Sequence, residues 1–170
     1  MATRNGAVPE PKTEVLSREQ GLRRIDRQAR RSLGIPGAEF LRRFEASREE
    51  RSELLGRFFR AVQGGDLDGL IEVLAEDVVA VGDGGGRGAA VKEPVRGGVQ
   101  VARFLLGLAR RFPDVTIVPA EVNGEPGAIT YYGDATVGNV FAFEVTDGRI
   151  AMILSVANPD KLSRVPPLEA

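Results

Sequence analysis

Four predicted strands follow one another near the C-terminus with no helix between them. The segments are 115–122, 127–132, 137–145 and 149–157, and the turns that join them contain Asn-Gly, Gly-Asp and Asp-Gly pairs. Asp-Gly or Asn-Gly between alternating apolar residues is a strong hairpin signal. Because strands joined by tight turns pair with their neighbours, this region predicts an antiparallel meander.

The residues before this meander show helical periodicity. Ser17 with Gln20, and Ser47 with Glu50, are capping-box patterns that predict two helix starts. Gly34 predicts the end of the first helix, a short helix is predicted over 38–43, and Asp66 predicts the cap of another. The apolar positions of the two strongest helices are Leu54, Leu55, Phe58, Phe59 and Val62, and Val101, Leu105, Leu108 and Phe112.

Helices followed by a meander indicate the α+β class, with a curved antiparallel sheet wrapped around helices. A strand is also predicted over 78–81, a glycine-rich loop over 82–88 and a short return strand over 89–92. Such a cone leaves a cavity between sheet and helices. The alternation of apolar residues predicts one apolar face on each of the last two strands. In the strand over 137–145 this face contains Phe141, Phe143 and Val145. In the strand over 149–157 it contains Ile150, Met152, Leu154 and Val156. Which face lines the cavity is left open by the pattern.

The chain has 170 residues and contains neither cysteine nor histidine. This composition excludes Ser-His-Asp and Cys-His catalysis from this chain alone, and also Cys/His zinc sites, haem-His ligation and iron–sulfur clusters. We therefore predict no metal and no cofactor. Any acid–base chemistry would use carboxylates, tyrosine, lysine or bound water.

Charge is unevenly distributed: the first 60 residues carry a net charge of +5 and the remainder −6. Within the first predicted helix, one basic face is formed by Arg23, Arg27, Arg30 and Arg31. We interpret this face as the solvated side of the helix, and contact with nucleic-acid phosphates is the alternative. Base-specific reading would require a second helix that holds this one in the major groove.

No apolar segment is long enough for a transmembrane helix, and the N-terminus lacks the apolar core of a signal peptide. We therefore expect a cytoplasmic protein with no membrane contact. Residues 1–15 are predicted to be a disordered arm, 16–43 a basic helical extension, and 166–170 a loose tail.

Residues 44–165 resemble the SnoaL-like C-terminal domain of extracytoplasmic-function RNA polymerase sigma factors. The resemblance rests on the order and spacing of eight segments: FEASREE (44–50), AVQGGD (61–66), LAEDV (74–78), DGGGR (83–87), VARFL (101–105), VNG (122–124), DGR (147–149) and NPDKL (158–162). It implies the NTF2-like cone, in agreement with the α+β pattern.

Residues 18–33 resemble, less specifically, the last helix of the promoter-reading region 4 of such a sigma factor. The region that recognises the −10 element and the first helix of the region 4 motif are missing from these residues. The chain therefore looks like a free-standing regulatory domain, a diverged stand-alone relative or a fragment of a longer gene. Met1 favours a complete reading frame.

Two of the matching segments predict a partner-binding site. The first is the glycine-rich loop that begins at Asp83. Its glycines do not have the spacing of a phosphate-binding loop, so the loop fits either a simple glycine-rich turn or a contact with a partner. The second follows the last strand and fits either a simple turn or a regulatory tail, as the resemblance implies. Their residues are Asp83, Gly84, Gly85, Gly86 and Arg87, and Asn158, Pro159, Asp160, Lys161 and Leu162.

Some relatives of this fold are enzymes, and the chain offers three catalytic candidates, Tyr131, Glu144 and Arg149. Glu144 and Arg149 fit either a buried pair or a surface pair across two strands. Tyr132, Asp77 and Asp83 are further candidates for the cavity.

The resemblance favours a non-catalytic regulatory or binding module. Its expected partner is an RNA polymerase sigma factor or another transcription protein, with a small apolar ligand in the cone and a homodimer through the exposed sheet face as further expectations. A small SnoaL-like hydrolase or isomerase and a nucleic-acid-associated protein are the alternatives.

Overall fold

The computed structural model describes residues 17–85 and 93–168, which divide into two compact units between Glu45 and Ala46. The expected disordered arm and return strand, at 1–15 and 89–92, lie outside the described residues. The elements, in chain order, are α1 (Arg18–Leu33), α2 (Gly37–Gly64), α3 (Leu67–Val73), β1 (Leu74–Asp83), β2 (Val95–Arg96), α4 (Gly98–Arg111), β3 (Thr116–Val122), β4 (Glu125–Tyr131), β5 (Val137–Thr146), β6 (Arg149–Val156) and α5 (Pro159–Leu162).

Helix α1 begins and ends where the sequence predicts. The side chain of Ser17 accepts from the backbone N–H of Gln20, and the Gln20 side chain accepts from the Ser17 N–H, which completes the capping box. Gly34 adopts a left-handed conformation with φ of 70°, and its N–H donates to the carbonyl of Arg30. Since glycine pays no side-chain penalty there, it ends the helix cleanly.

Helix α2 is one continuous helix, so the prediction of two helices over this segment was wrong. Ser47 lies inside α2 and does not cap a new helix. A capping box acts only where the chain before it leaves the helical conformation. No glycine or proline interrupts residues 38–55, and the Arg and Glu residues there are good helix formers.

The described strands form a six-stranded mixed sheet in the order β2-β1-β6-β5-β4-β3. The predicted meander β3 to β6 is antiparallel throughout. Strand β1, however, runs parallel to β6, so the sheet is not purely antiparallel as expected. A parallel neighbour requires a long connection, and here the connection passes through β2, α4 and the meander.

The face of the sheet that packs on α2, α3 and α4 is called the inner face. Four aromatic rings meet there, Phe58 and Phe59 from α2 and Phe141 and Phe143 from β5, with centroid separations of 5.4 to 6.5 Å. The Phe141–Phe143 face therefore lines the core, which resolves the alternative left open by the sequence. Ion pairs from Arg48 to Glu121 and from Arg51 to Glu125 attach α2 to β3 and β4.

The opposite side of the sheet is called the outer face. Ile150 is buried, whereas Met152 and Leu154 are 39% and 37% exposed. The expectation that these residues share one face was wrong, because the pairing of β5 with β6 shifts at Glu144/Val145. One extra residue in a strand reverses the direction of every side chain beyond it.

Two further expectations need correction. On α4, Val101 and Leu105 are buried as predicted, but Leu108 and Phe112 are 36% and 41% exposed because nothing in the described residues covers the end of this helix. The tail after residue 165 is attached and not loose at its start, since the carbonyl of Pro166 accepts from Tyr131 Oη and the N–H of Leu168 donates to Ala135. None of the described helices combines the length and apolarity needed to cross a membrane.

Candidate functional site

The two predicted partner-binding segments meet at the end of β1. Lys161 Nζ on α5 donates to Asp83 Oδ2 at 2.6 Å, although 78 residues separate them in the sequence. The backbone carbonyl of Asp83 also accepts from the N–H of Ala157 at 2.8 Å. The sheet thus brings the loop and the tail into one surface, which we call the loop–α5 junction (83–85 and 157–162).

The backbone of the loop is fitted closely to the tail. Gly85 has φ of 57°, and its N–H donates to Asp83 Oδ1 at 3.0 Å. A Cβ atom built on Gly85 would lie 2.5 Å from Asn158 Cγ. A side chain here would therefore displace Asn158, which gives a steric as well as a conformational reason for glycine.

Helix α5 is organised by its first residues. Asn158 Oδ1 accepts from the N–H of Asp160, and the Asn158 carbonyl accepts from the N–H groups of Lys161 and Leu162. Pro159 occupies the first turn, where its missing N–H costs nothing. This single turn is what directs Lys161 towards Asp83.

The ion pair defines the charge of the junction. The hydrogen bond from Lys161, and then the one from the Gly85 N–H, hold the pKa of Asp83 below the ordinary aspartate value. Asp83 is therefore ionised at neutral pH and offsets the lysine charge. Of the other predicted residues, Pro159 is exposed and Leu162 half-buried, while Gly86 and Arg87 lie outside the described residues.

The three catalytic candidates are not brought together. Tyr131 Oη donates to the carbonyl of Pro166 at 3.3 Å, and Arg149 Nη1 donates to the carbonyl of Leu74 at 3.2 Å. Glu144 is exposed on the outer face beside Met152. Glu144 and Arg149 form no ion pair within 17–85 and 93–168. The candidates therefore do not form the paired site considered from the sequence.

The remaining cavity candidates are also dispersed. Tyr132 is 41% exposed, and Asp77 is exposed on β1. Asp83 belongs to the loop–α5 junction. The space between α2 and the inner face of β5 is filled by the four phenylalanine rings. These rings pack as apolar side chains, and they can neither donate nor accept a proton.

One polar cluster on the inner face was missed by the sequence analysis. The Asn139 N–H donates to Thr130 Oγ1 at 2.9 Å, and Ser155 Oγ donates to Asn139 Oδ1 at 3.0 Å. Thr130 is buried, with 6% exposure. The alternation of side chains along β5 could have predicted the position of Asn139, because residues two apart in a strand share a face and Asn139 precedes Phe141 by two residues.

The basic face of α1 is partly neutralised within the helix. Arg23 pairs with Glu19 at 2.6 Å and Arg30 pairs with Asp26 at 2.9 Å. The hydrogen bond from Arg30, followed by that from the Gly37 N–H, lowers the pKa of Asp26. Arg27 and Arg31 are exposed and have no ion pair among the described side chains. Two of the four arginines are thus already engaged.

In the part of the chain that the structure describes, no three His, Cys, Asp or Glu side chains group as a set of metal ligands.

Comparison with known proteins agrees with this architecture. The SnoaL-like domain matches residues 55–153. The chain is 35% identical over 124 residues to SigJ, an extracytoplasmic-function RNA polymerase sigma factor of Mycobacterium tuberculosis, and this match spans 68% of the chain and 40% of SigJ. The crystal structure of SigJ superposes with a TM-score of 0.58 and 30% identity, over 84% of the chain and 56% of the SigJ chain.

An NTF2-like protein of unknown function from Mesorhizobium loti superposes with a TM-score of 0.50 and 19% identity, over 65% of the chain and 93% of that protein. This likeness shows the fold alone. The chain spans less than two thirds of SigJ in both comparisons. On the match to residues 55–153 and the identity to SigJ, the chain belongs to the SnoaL-like domain family.

Proposed function

We propose that the chain is a non-catalytic regulatory module that docks onto a transcription protein through the loop–α5 junction, with an RNA polymerase sigma factor as the partner. The observation that carries the proposal is the ion pair between Asp83 and Lys161, which joins two distant segments into one surface. Such a role places the protein in the cytoplasm, where transcription takes place.

The junction has the chemistry of a docking surface. Gly85 is exposed, and Asn158 fills the space where a side chain would lie, so the loop and the start of α5 present one joined surface to a partner. Asp83 and Lys161 place two opposite charges side by side on this surface. Such charges contribute more to the specificity and orientation of a bound partner than to its affinity. The same surface includes the first turn of α5, whose residues Pro159 and Asp160 are also exposed.

Regulation through this surface requires two states of the tail. Within the described residues, the contacts of the tail include those with Asp83, with Tyr131 and with Ala135, and the contact with Tyr131 is partly buried. The exposed ion pair with Asp83 contributes little stability by itself, so its loss is a small step towards release of the tail. A small ligand on the inner face, next to Asn139 and Ser155, would change docking only if it bound the two states unequally.

The test is a titration of the full chain into a purified sigma factor of the same group that lacks its own SnoaL-like domain. Asp83→Ala and Lys161→Ala should each weaken docking by about tenfold, the effect of losing one charged contact in a docking surface. Asp77→Ala is the matched control, because Asp77 is also an exposed aspartate of β1 but forms no contact with α5. Circular dichroism checks that each variant folds.

Unchanged affinity in both junction variants would contradict the proposal, as would equal weakening by Asp77→Ala. The proposal would also be contradicted if the sigma factor bound neither the unaltered chain nor any of its variants. Loss of docking in the junction variants alone would support it.

The two alternatives have less support. A hydrolase or isomerase needs an acid or base close to the reacting group, and the described positions of Tyr131, Glu144 and Arg149 do not converge. Nucleic-acid binding would rest on Arg27 and Arg31, because Arg23 and Arg30 are paired on α1 itself.

A further inference from the structure

The end of the tail lies against the turn that joins β4 to β5. Tyr131 Oη donates to the carbonyl of Pro166 at 3.3 Å, and the N–H of Leu168 donates to the carbonyl of Ala135 at 3.4 Å. Both bonds reach main-chain groups of the tail, so they recognise an extended backbone and not one particular side chain. This part of the tail is therefore held as a short peptide is held by a binding site.

The tail segment 165–168 has the sequence of an extended peptide. Pro166 and Pro167 fix their own φ at about −65°, and each disfavours a helical conformation in the residue before it. Both prolines are exposed, whereas Val165 and Leu168 are half-buried. An extended proline helix has three residues per turn, so residues three apart share one of its faces. The segment thus has an apolar-Pro-Pro-apolar pattern, and it loses little entropy when it binds because it is already extended.

The turn that contacts this segment is strained. Ala135 has φ of 63°, a left-handed conformation that is unfavourable for any residue with a Cβ atom. Its N–H donates to the carbonyl of Tyr132, and Thr136 donates its N–H and its hydroxyl to Asp134 Oδ1. Strain of this kind persists where the surrounding contacts enforce it, commonly at binding sites. The strained residue is the one whose carbonyl accepts from the tail.

Two adjacent tyrosines lie at the start of this turn. Tyr131 is only 4% exposed, so its surroundings hold the ring and place the hydroxyl. Tyr132 is 41% exposed, and a Cβ atom on Gly138 would lie 3.4 Å from its ring atom Cε2. The lack of a side chain at Gly138 thus lets the Tyr132 ring lie close to β5 while part of the ring stays exposed. Aromatic surfaces of this kind are a common means of binding proline-rich peptides.

We propose that Tyr131, Tyr132 and the carbonyl of Ala135 form a binding site for extended peptides with the pattern apolar-Pro-Pro-apolar. The chain's own tail occupies this site, and a proline-rich segment of another protein displaces it. The two hydrogen bonds of the tail are longer than most protein hydrogen bonds, so the tail is a weak ligand. Its occupancy depends on the covalent link, which gives a tethered ligand an effective concentration of about 1 mM.

The peptide site consists of different residues from those of the loop–α5 junction. It goes beyond the docking proposed above and does not rest on it, because the ligand is a peptide that contacts the β4–β5 turn. The experiment needs no sigma factor, so failure of peptide binding and failure of docking at Asp83 and Lys161 are separate results.

Tyrosine fluorescence of the full chain tests whether the tail occupies the site. The chain contains two tyrosines and no tryptophan, so all of this emission comes from the site itself. Val165→Asp with Leu168→Asp, the release variant, replaces both half-buried apolar side chains and should change the emission by releasing the tail. Arg164→Asp is the matched control, because it changes the charge of the tail by the same two units at an exposed position. Its emission should equal that of the unaltered chain.

A synthetic peptide with the sequence of residues 163–169, SRVPPLE, serves as the ligand in trans. It should bind the release variant with a Kd of about 0.1 mM, and the unaltered chain about tenfold more weakly because the tethered tail competes. The peptide SRDPPDE should bind neither protein. In the release variant, Tyr131→Phe should weaken binding of SRVPPLE about threefold, the effect of one neutral hydrogen bond, with Tyr132 as the remaining reporter.

Three results would overturn the proposal. The first is a release variant that binds no SRVPPLE up to about 5 mM, or that binds SRDPPDE equally well. The second is identical emission from the release variant and the unaltered chain. The third is emission of the unaltered chain that changes on dilution, which would assign the tail to the site of a second copy. Circular dichroism checks that each variant folds, and Leu168→Asp alone provides a milder release variant for the same comparisons.

Discussion

The ring of Phe58 on α2 lies edge-on to the ring of Phe143 on β5, with their centroids 5.4 Å apart and their planes at 70°. Phe59 contacts both of them, so the aromatic cluster joins the long helix to the centre of the sheet. Edge-to-face geometry adds to the stabilisation that burial alone provides. This contact determines which face of the sheet is the inner one.

Removal of one ring should therefore be costly. Phe58 is only 3% exposed, and Phe58→Ala should lower the free energy of unfolding by about 3–5 kcal/mol, because a cavity remains among Phe59, Phe143 and the helix. Urea unfolding followed by circular dichroism measures the change. Phe112→Ala is the control, since Phe112 is 41% exposed and its loss should cost less than about 1 kcal/mol. Equal losses in the two variants would contradict this account of the core.

Gly37 permits the close approach of the start of α2 to α1. A Cβ atom at this position would lie 2.5 Å from Asp26 Cα, and the Gly37 N–H donates to Asp26 Oδ1 at 2.7 Å. Gly37→Ala should separate the two segments and accelerate amide exchange in α1 by more than about tenfold. Gly21→Ala is the matched control, because no atom lies within 4 Å of its Cβ position and alanine should stabilise the helix by about 1 kcal/mol. Slower exchange in Gly37→Ala would contradict the prediction.

The pKa of Asp83 should depend on Lys161. The hydrogen bond from Lys161 lowers this pKa, and the Gly85 N–H lowers it further. A carboxyl group with a lowered pKa in the folded state stabilises that state above its unfolded pKa, and loses this contribution as pH falls through the folded value. The attachment of α5 should therefore be constant near neutral pH and weaken only in the acid range, below about pH 4.

Nuclear magnetic resonance titration of the Asp83 carboxyl carbon measures this directly. In Lys161→Gln the titration midpoint should rise towards the ordinary aspartate value. Asp134 is the internal control, because its pKa is also lowered, but by Thr136 and not by a lysine. An Asp83 midpoint that does not move in Lys161→Gln would show that the ion pair is absent in solution.

The turn between β5 and β6 should require glycine for conformational reasons alone. Gly148 has φ of 72°, and no atom lies within 4 Å of its Cβ position. Gly148→Ala should lower the free energy of unfolding by about 1 kcal/mol, from left-handed backbone strain. Gly107→Ala has equally open surroundings but lies in α4, and should raise stability by about 0.5–1 kcal/mol. Thermal unfolding of both variants checks the difference in sign, and destabilisation by both would refute the explanation.

Several features of the fold could be predicted because their causes are local. The capping box at Ser17, the glycine end of α1 and the hairpin turn at Asp147–Gly148 each depend on a few adjacent residues. The helical stripe with Leu54 and Phe58 likewise follows from the residues of a single element. The resemblance to the sigma-factor domain implied that the loop and the tail both bind a partner, but it did not predict that Lys161 contacts Asp83.

The features that could not be predicted depend on contacts between distant segments. Ser47 was predicted to start a helix because its capping box was read without the residues before it, and those residues continue the helix without a glycine or proline. The prediction that Ile150, Met152 and Leu154 share one face was wrong, because the register shift that separates them is a property of the paired strands β5 and β6. Neither strand shows this shift in its own sequence.

The amino-acid sequence by itself determined the two ends of α1, the tight turn between β5 and β6, the family, and the absence of thiol and imidazole side chains, because each of these depends on short segments or on composition. Only the tertiary structure decided that β1 pairs parallel with β6, that Asp83 meets Lys161, and that Glu144 lies on the outer face. These depend on strand order and register, which arise from the packing of the whole sheet on its helices. No local pattern records that packing, since one residue of register shift exchanges the two faces.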